Sequence, residues 1–140
     1  MTILVSACLL GENCKYNGGN NRNERVLKFV EGHDVIPVCP EMLGGLPCPR
    51  KPVEWVGDRV LTRDGDDCTE HFRRGVEAAL VLIADKPVEL AILQSRSPTC
   101  GVKQIYDGSF SGVRIDGMGA LARALHERGV PLMDAEDVPE

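Results

Sequence analysis

The chain has 140 residues and a formal net charge of −5, with 43% hydrophobic and 26% charged residues. This composition predicts a single globular domain, residues 1–140, with a substantial buried core. The acidic balance, and basic runs no longer than Arg73-Arg74, argue against a nucleic acid polymer as partner. Because no apolar run could cross a bilayer and no secretory signal opens the chain, we expect a cytoplasmic protein that acts on a small molecule.

Short apolar runs alternate with helical patterns along the chain. Apolar runs that are continuous, without polar alternation, indicate strands buried on both faces. In chain order we expect a strand at residues 2–7, a helix between Asn23 and Gly32, a strand at 34–38, a helix at about 67–84, a strand at 89–93, a helix at about 119–128 and a strand at 130–133. This alternation predicts an α/β fold with a doubly wound, mostly parallel, Rossmann-like sheet.

Two hairpins and one irregular segment interrupt this pattern. Gly57-Asp58 separates two strand-like runs and predicts a small hairpin insertion. A second hairpin is expected around Asp107-Gly108. Residues 40–52 contain four prolines and the pair Gly44-Gly45, so no regular element is predicted there.

Three of the six cysteines follow predicted strands. Cys8 closes the first strand, Cys39 closes the second, and Cys100 lies in the loop after the third. Ligands of open α/β sheets bind at the carboxyl ends of the strands, so these thiols are candidates for one soft metal centre. Three protein ligands would leave one coordination position open, as in a catalytic site. The spacings match neither a zinc finger nor the ferredoxin run, so buried structural thiols are the alternative.

Polar residues near these cysteines are candidates for catalysis. Glu41 lies two residues after Cys39 and is a candidate general acid or base, with a solvated loop carboxylate as the alternative. Ser95 and Ser97 precede Cys100, but no base that would activate a serine nucleophile is evident.

Other chemically able residues carry weaker signals. Arg50 and Arg96 are candidates for holding an anionic or carbonyl-bearing ligand, with solvent exposure equally expected. Residues 117–122 match the dinucleotide pattern G-x-G-x-x-A, but too little chain follows for the rest of that unit, so a Gly-rich helix start is favoured. The three histidines are interpreted as surface or structural residues, at positions His33, His71 and His126.

Five sequence blocks, in order, resemble the thiouracil desulfidase family, which was long classed as a domain of unknown function. They are residues 6–11 (SACLLG), 14–18 (CKYNG), 38–41 (VCPE), 44–46 (GGL) with 49–50 (PR), and 97–101 (SPTCG). The chain departs from the commoner family residues at Lys15 and Thr99, and neither departure replaces a thiol.

The resemblance implies an activity and a cofactor. The implied cofactor is a [4Fe–4S] cluster bound by three cysteines, whose fourth iron is free to bind the sulfur of a thiolated pyrimidine. Water would attack the carbon, sulfur would leave as sulfide, and thiouracil would become uracil without net redox change. In this hypothesis Glu41 moves the protons and Ser97 orients the substrate or the water.

The strand-end positions favour Cys8, Cys39 and Cys100 as the three ligands, since a scaffold fixes strand ends well. Cys14 lies in a loop and is the reserve ligand or a neighbouring thiol. Cys48 ranks below it. Cys68, in an acidic run, is interpreted as structural.

Two other classes of function stay open at this point. The first is a non-catalytic metal-binding or redox-sensing module that uses the same thiols. The second is a nucleotide-binding domain of the doubly wound type with unrelated cysteines. The sequence leaves open the ring position of the sulfur, the choice of base, nucleoside or nucleotide, and the oligomeric state.

Overall fold

Eight strands and four α-helices build the molecule, which the computed structural model describes over residues 1–139. The strands are β1 (Thr2–Ser6), β2 (Asp34–Val38), β3 (Val53–Val56), β4 (Arg59–Thr62), β5 (Val88–Leu93), β6 (Gln104–Tyr106), β7 (Arg114–Asp116) and β8 (Leu132–Asp134). The helices are α1 (Glu24–Phe29), α2 (Pro40–Leu43), α3 (Thr69–Leu82) and α4 (Ala120–Glu127), with 3₁₀ helices at Ala7–Leu10 and Ala135–Asp137.

A four-stranded sheet in the order β2-β1-β5-β8 forms the centre of the fold, and each neighbouring pair is parallel. Two antiparallel hairpins, β3–β4 and β6–β7, lie outside this sheet. The expected α/β class with a mostly parallel sheet and a small hairpin insertion is therefore confirmed, and the second hairpin is confirmed as well.

Both faces of the central sheet are covered by apolar packing. Leu4 and Leu93 pack with side chains of α3 and α4 on one face. Ile3 and Ile92 pack with α1 and the C-terminal 3₁₀ helix on the other. Because successive strand residues point to opposite faces, burial on both sides explains why these runs are continuously apolar. Full burial of each such side chain contributes roughly 1.5–3 kcal/mol.

Helix starts and ends follow the sequence signals closely. The Asn23 side chain accepts hydrogen bonds from the amides of Arg25 and Val26, so it caps α1 as its residue type predicts. The long helix and the last helix are also confirmed, each within two residues of the expected bounds. No helix within residues 1–139 is long and apolar enough to span a membrane.

The prediction that residues 40–52 lack regular structure is wrong at its beginning. Pro40 opens the one-turn helix α2, where a proline needs no amide partner and its fixed φ suits the first helical position. A Cβ on Gly75 of α3 would lie 1.9 Å from the carbonyl oxygen of Pro40. Only a glycine therefore lets α3 pack this closely against α2, and that contact fixes the residues that follow Cys39.

The first loop also begins with more order than expected. Cys8 lies within the 3₁₀ helix Ala7–Leu10, not at the end of the strand itself. The Cys8 carbonyl accepts hydrogen bonds from the amides of Gly11 and Asn21, which brings the end of the loop back to its start. The first loop is thereby closed over the carboxyl end of β1.

Candidate active site

A cavity of ≈ 490 Å³ opens at the carboxyl ends of β1, β2 and β5. Four of the six thiols line it, namely Cys8, Cys14, Cys39 and Cys100, and Glu41 and Ser97 line it with them. All five residues that the sequence predicts for the site therefore line one cavity. The remaining two thiols, Cys48 and Cys68, which were not among the predicted ligands, lie outside its lining.

Three of the four thiols are in direct contact. The Cys14 thiol hydrogen-bonds to the sulfurs of Cys8 and Cys39, and this contact lowers the pKa of each to about 7. Hydrogen bonding to those two sulfurs raises the pKa of Cys14 itself, because its proton is held between them. The amide nitrogen of Asn21 also donates to Cys8 Sγ at 3.5 Å. Cys14 is thus more central than its loop position suggested.

Cys100 enters the same cavity from the loop after β5. Its side chain is fully buried, and burial raises the pKa of its thiol to about 12. The Thr99 hydroxyl donates to Cys100 Sγ over 3.7 Å. A Cβ on Gly119 would lie 2.4 Å from the Thr99 carbonyl carbon, so α4 begins in direct contact with this loop. That packing gives the Gly-rich start of α4 a structural role.

Glu41 is buried beside the thiols and paired with Arg50. The Arg50 Nη2 atom lies 3.1 Å from Glu41 Oε2, and the side chains are only 7% and 16% exposed, respectively. Burial raises the pKa of the Glu41 carboxyl, and the positive charge of Arg50 opposes that rise. Arg50 Nη2 also donates to the Cys14 carbonyl oxygen at 2.9 Å. Glu41 is therefore not the solvated loop carboxylate of the alternative interpretation.

Ser97 is held by hydrogen bonds within the loop after β5. Its Oγ accepts hydrogen bonds from the amides of Thr99 and Cys100, at 3.2 and 3.0 Å. The Ser97 and Thr99 hydroxyls lie 3.1 Å apart, and Thr99 in turn donates to the Cys100 sulfur. A chain of hydroxyl groups thus connects Ser97 to the most buried thiol.

The sequence did not predict several contacts next to the cavity. Ser95 donates to the buried carboxylate of Asp134, which lies 39 residues away on β8, so the missing partner of this serine comes from a distant strand. Arg96 pairs with Glu136 through two hydrogen bonds of 2.8 and 3.0 Å. Only the sheet order brings these residues together, and no local pattern could have indicated the pairs.

Both candidate anion-binding arginines are therefore already neutralised by carboxylates. The histidines are structural where contacts are seen: His33 contacts the N-terminal amine, and His71 contacts the Gly44 carbonyl oxygen at 2.8 Å. None of the histidines lines the cavity.

The arrangement of the donors bears on the kind of metal group that fits. Within residues 1–139 no group of three or more His, Cys, Asp or Glu side chains is arranged to hold a single metal ion. The thiols instead surround a cavity. A polynuclear iron–sulfur cluster attaches its cysteines to different iron atoms, so its ligands need not meet at one point.

One buried polar atom also indicates that a group binds in the cavity. Among the described residues, Arg50 Nε is a buried side-chain donor without a hydrogen-bond partner. A buried N–H group without an acceptor is costly and calls for an explanation such as a bound group. Inorganic sulfide or a substrate atom in the cavity that Arg50 lines would supply such an acceptor.

Fold and cavity together define an α/β protein with a thiol-lined site at the carboxyl ends of its parallel strands. The sequence model of the 2-thiouracil desulfurase family matches residues 3–137, and the chain belongs to that family. This confirms the resemblance drawn from the five sequence blocks.

Two relatives extend the comparison over almost the whole chain. A solved structure of a [4Fe-4S]-dependent thiouracil desulfidase, TudS, is 38% identical in sequence and superposes with a TM-score of 0.90, covering 99% of this chain and 93% of that one. The uncharacterized protein YbbK of Bacillus subtilis (strain 168) is 34% identical over 146 aligned residues, covering 97% of each chain.

Proposed function

We propose that this protein is a thiouracil desulfidase that converts thiolated pyrimidines to the oxygen analogue and sulfide at a [4Fe–4S] cluster. The observation that carries the proposal is the convergence of four thiols and Glu41 on one cavity. Support comes from membership of the 2-thiouracil desulfurase family and from the likeness to a [4Fe-4S]-dependent thiouracil desulfidase.

Cys8, Cys39 and Cys100 are the proposed ligands. Each follows one of the three neighbouring parallel strands β1, β2 and β5, so the sheet would hold these thiols in place before any metal binds. Cysteine thiolates are the usual ligands of iron–sulfur clusters. Cys14, which contacts Cys8 and Cys39, is the proposed hydrogen-bonding thiol beside the cluster.

The reaction that we propose is a hydrolysis. The C=S bond of thiouracil is broken, a C=O bond forms from water, and the products are uracil and hydrogen sulfide, with no electron transferred. When bound with one iron free of protein ligands, the cluster would supply a soft Lewis acid for the thiocarbonyl sulfur.

Glu41 is the proposed general acid and base. Arg50 holds Oε2, and among the described residues no hydrogen bond engages Oε1, so this oxygen is available to a water molecule in the cavity. Glu41 would take a proton from the attacking water and return it to the ring nitrogen or the departing sulfur. Ser97, anchored by two amides, would orient the water or the substrate.

The proposal extends to the fold, the cellular compartment and the partner of the protein. Helices on both faces of a parallel sheet support a doubly wound, Rossmann-like fold in one domain. The six free thiols suit a reducing compartment, and we propose the cytoplasm. The partner is a small thiolated pyrimidine.

The test is an assay on anaerobically purified protein. Iron and acid-labile sulfide are quantified first, and the protein is then incubated with thiouracil without any electron donor. We expect uracil and sulfide in equal amounts, and neither product from protein stripped of iron. Protein that contains iron and acid-labile sulfide but leaves thiouracil unchanged would overturn the proposal.

A further inference from the structure

The tip of the β6–β7 hairpin places an aromatic side chain on the cavity. Phe110 lies at this tip and lines the cavity, as do Tyr106 from the same hairpin and Tyr16 from the first loop. Three of the chain's six aromatic side chains thus border the cavity that four of its six thiols line.

Phe110 has a backbone conformation that must be held by its neighbours. Its φ is 56°, in the left-handed region, which a bulky residue rarely adopts. Its amide donates to Glu54 Oε1 at 3.2 Å, and its carbonyl oxygen accepts from Arg63 Nη2 at 2.8 Å. Residues held in such conformations concentrate at ligand-binding sites, where the surroundings over-determine them.

Glu54 fixes the whole tip, not Phe110 alone. The same oxygen accepts a second hydrogen bond, from the amide of Gly108 at 2.9 Å. A Cβ on Gly108 would lie 2.6 Å from the Trp55 carbonyl oxygen, so the tip packs directly on β3. The Trp55 indole nitrogen donates to the Pro98 carbonyl oxygen at 2.9 Å, next to Ser97. One rigid frame therefore connects the aromatic tip to the loop that carries Ser97 and Cys100.

The charges of the cavity favour recognition of a flat ring through its face. The guanidinium of Arg63 lies 5.6 Å from the centroid of the Phe110 ring and packs on it from outside the cavity lining. Arg50 and Arg96 are both neutralised by carboxylates. Contact with apolar and aromatic groups then contributes to the affinity for a neutral heterocycle, and an aromatic side chain can stack on any nucleobase because every base has a π-face.

We infer that Phe110 stacks on the pyrimidine ring of the substrate and that Glu54 is the positioning residue that holds it there. This inference rests on the proposed function. It assigns to the hairpin tip the selection of planar, aromatic thiocarbonyl compounds over non-planar ones.

The experiment measures binding as well as turnover, on iron-loaded protein kept anaerobic. Calorimetry gives the Kd for uracil, which is flat, and for dihydrouracil, which is not; steady-state assays give kcat and KM for thiouracil. The variants are Phe110→Leu and Phe110→Trp, with Val113→Ala as a control on the same hairpin but outside the cavity lining. For the positioning residue, Glu54→Ala is compared with Glu54→Gln, which keeps the Oε1 acceptor.

We expect Phe110→Leu to raise the Kd for uracil and the KM for thiouracil about tenfold, with kcat changed much less, and to reduce the preference for uracil over dihydrouracil. Phe110→Trp, which keeps an aromatic face, should retain more uracil affinity than Phe110→Leu. Glu54→Gln should rescue the loss seen in Glu54→Ala, which should follow Phe110→Leu, and Val113→Ala should change nothing. An active wild type whose Phe110→Leu variant keeps its KM and its uracil affinity would overturn this inference alone. An inactive, fully loaded wild type would overturn the proposed function and this inference with it.

Discussion

At the residue scale, the four thiols that line the cavity have the same chemistry but different surroundings, and these surroundings shift their pKa values in different directions. Cys8 and Cys39 share one hydrogen-bond donor, Cys14, and have a lowered pKa, whereas burial raises the pKa of Cys100. The sequence did not predict the contact of Cys14 with both neighbours, because the sequence of a loop does not indicate where the loop folds back.

Serine substitutions distinguish ligands from neighbours. Cys8→Ser, Cys39→Ser and Cys100→Ser should each abolish cluster binding, measured as iron per chain after anaerobic reconstitution. Cys14→Ser should keep most of the iron, because a serine hydroxyl can still donate its one hydrogen bond to the sulfur of either Cys8 or Cys39. Cys48→Ser and Cys68→Ser are the matched controls, since both thiols lie outside the cavity lining.

A different pattern of iron loss would contradict this assignment of the ligands. Iron lost in Cys14→Ser but retained in Cys100→Ser would show that the ligands are the three thiols already in contact, Cys8, Cys14 and Cys39.

Proton transfer is assigned to one carboxylate. Glu41→Gln keeps the size of the side chain and an oxygen for Arg50, so iron content should be unchanged, while turnover of thiouracil should fall by roughly 10²–10⁴-fold. Glu136→Gln is the control, because Glu136 also pairs with an arginine but does not line the main cavity. Near-normal turnover by Glu41→Gln would assign the proton transfer to another group.

At the scale of elements, the short helix α2 controls the position of Glu41. This helix contains only residues Pro40–Leu43 and cannot be stable by itself, since isolated helices need many more residues. Its support is the glycine-mediated contact with α3. The sequence pattern did not predict α2 because proline and glycine normally break helices, whereas here Pro40 takes the first helical position and Gly75 permits the close crossing of α3.

Gly75→Ala tests that contact. Alanine alone would favour the helical state by up to about 1 kcal/mol, but the new Cβ would lie 1.9 Å from the Pro40 carbonyl oxygen, so α2 must move. We expect the free energy of unfolding to fall by about 1–3 kcal/mol, the usual cost of overpacking, and turnover to fall with it as Glu41 shifts. Thermal or urea unfolding measures the first effect and the uracil assay the second.

Val81→Ala serves as the control on the same helix, because Val81 is 75% exposed. An unchanged free energy of unfolding and unchanged activity in Gly75→Ala would show that α2 is not fixed by this crossing.

At the scale of the whole molecule, continuous apolar runs predicted the buried parallel strands, and their order along the chain predicted the edge where Cys8, Cys39 and Cys100 meet. The pairs that complete the site were not predictable in this way. Ser95 with Asp134 and Glu54 with the Phe110 amide join segments far apart in sequence. Such pairs depend on how strands are ordered in the sheet and how hairpins pack, which local patterns do not specify.

Hydrolytic desulfuration requires water to supply the new oxygen of uracil at a thiol-held cluster. Iron-loaded protein is therefore incubated anaerobically with thiouracil in ¹⁸O-labelled water, and the uracil formed is analysed by mass spectrometry alongside the released sulfide. We predict one ¹⁸O atom in each uracil and one sulfide per uracil, with no product from Cys8→Ser. Uracil without the label, or sulfide release that requires an added electron donor, would contradict hydrolytic desulfuration.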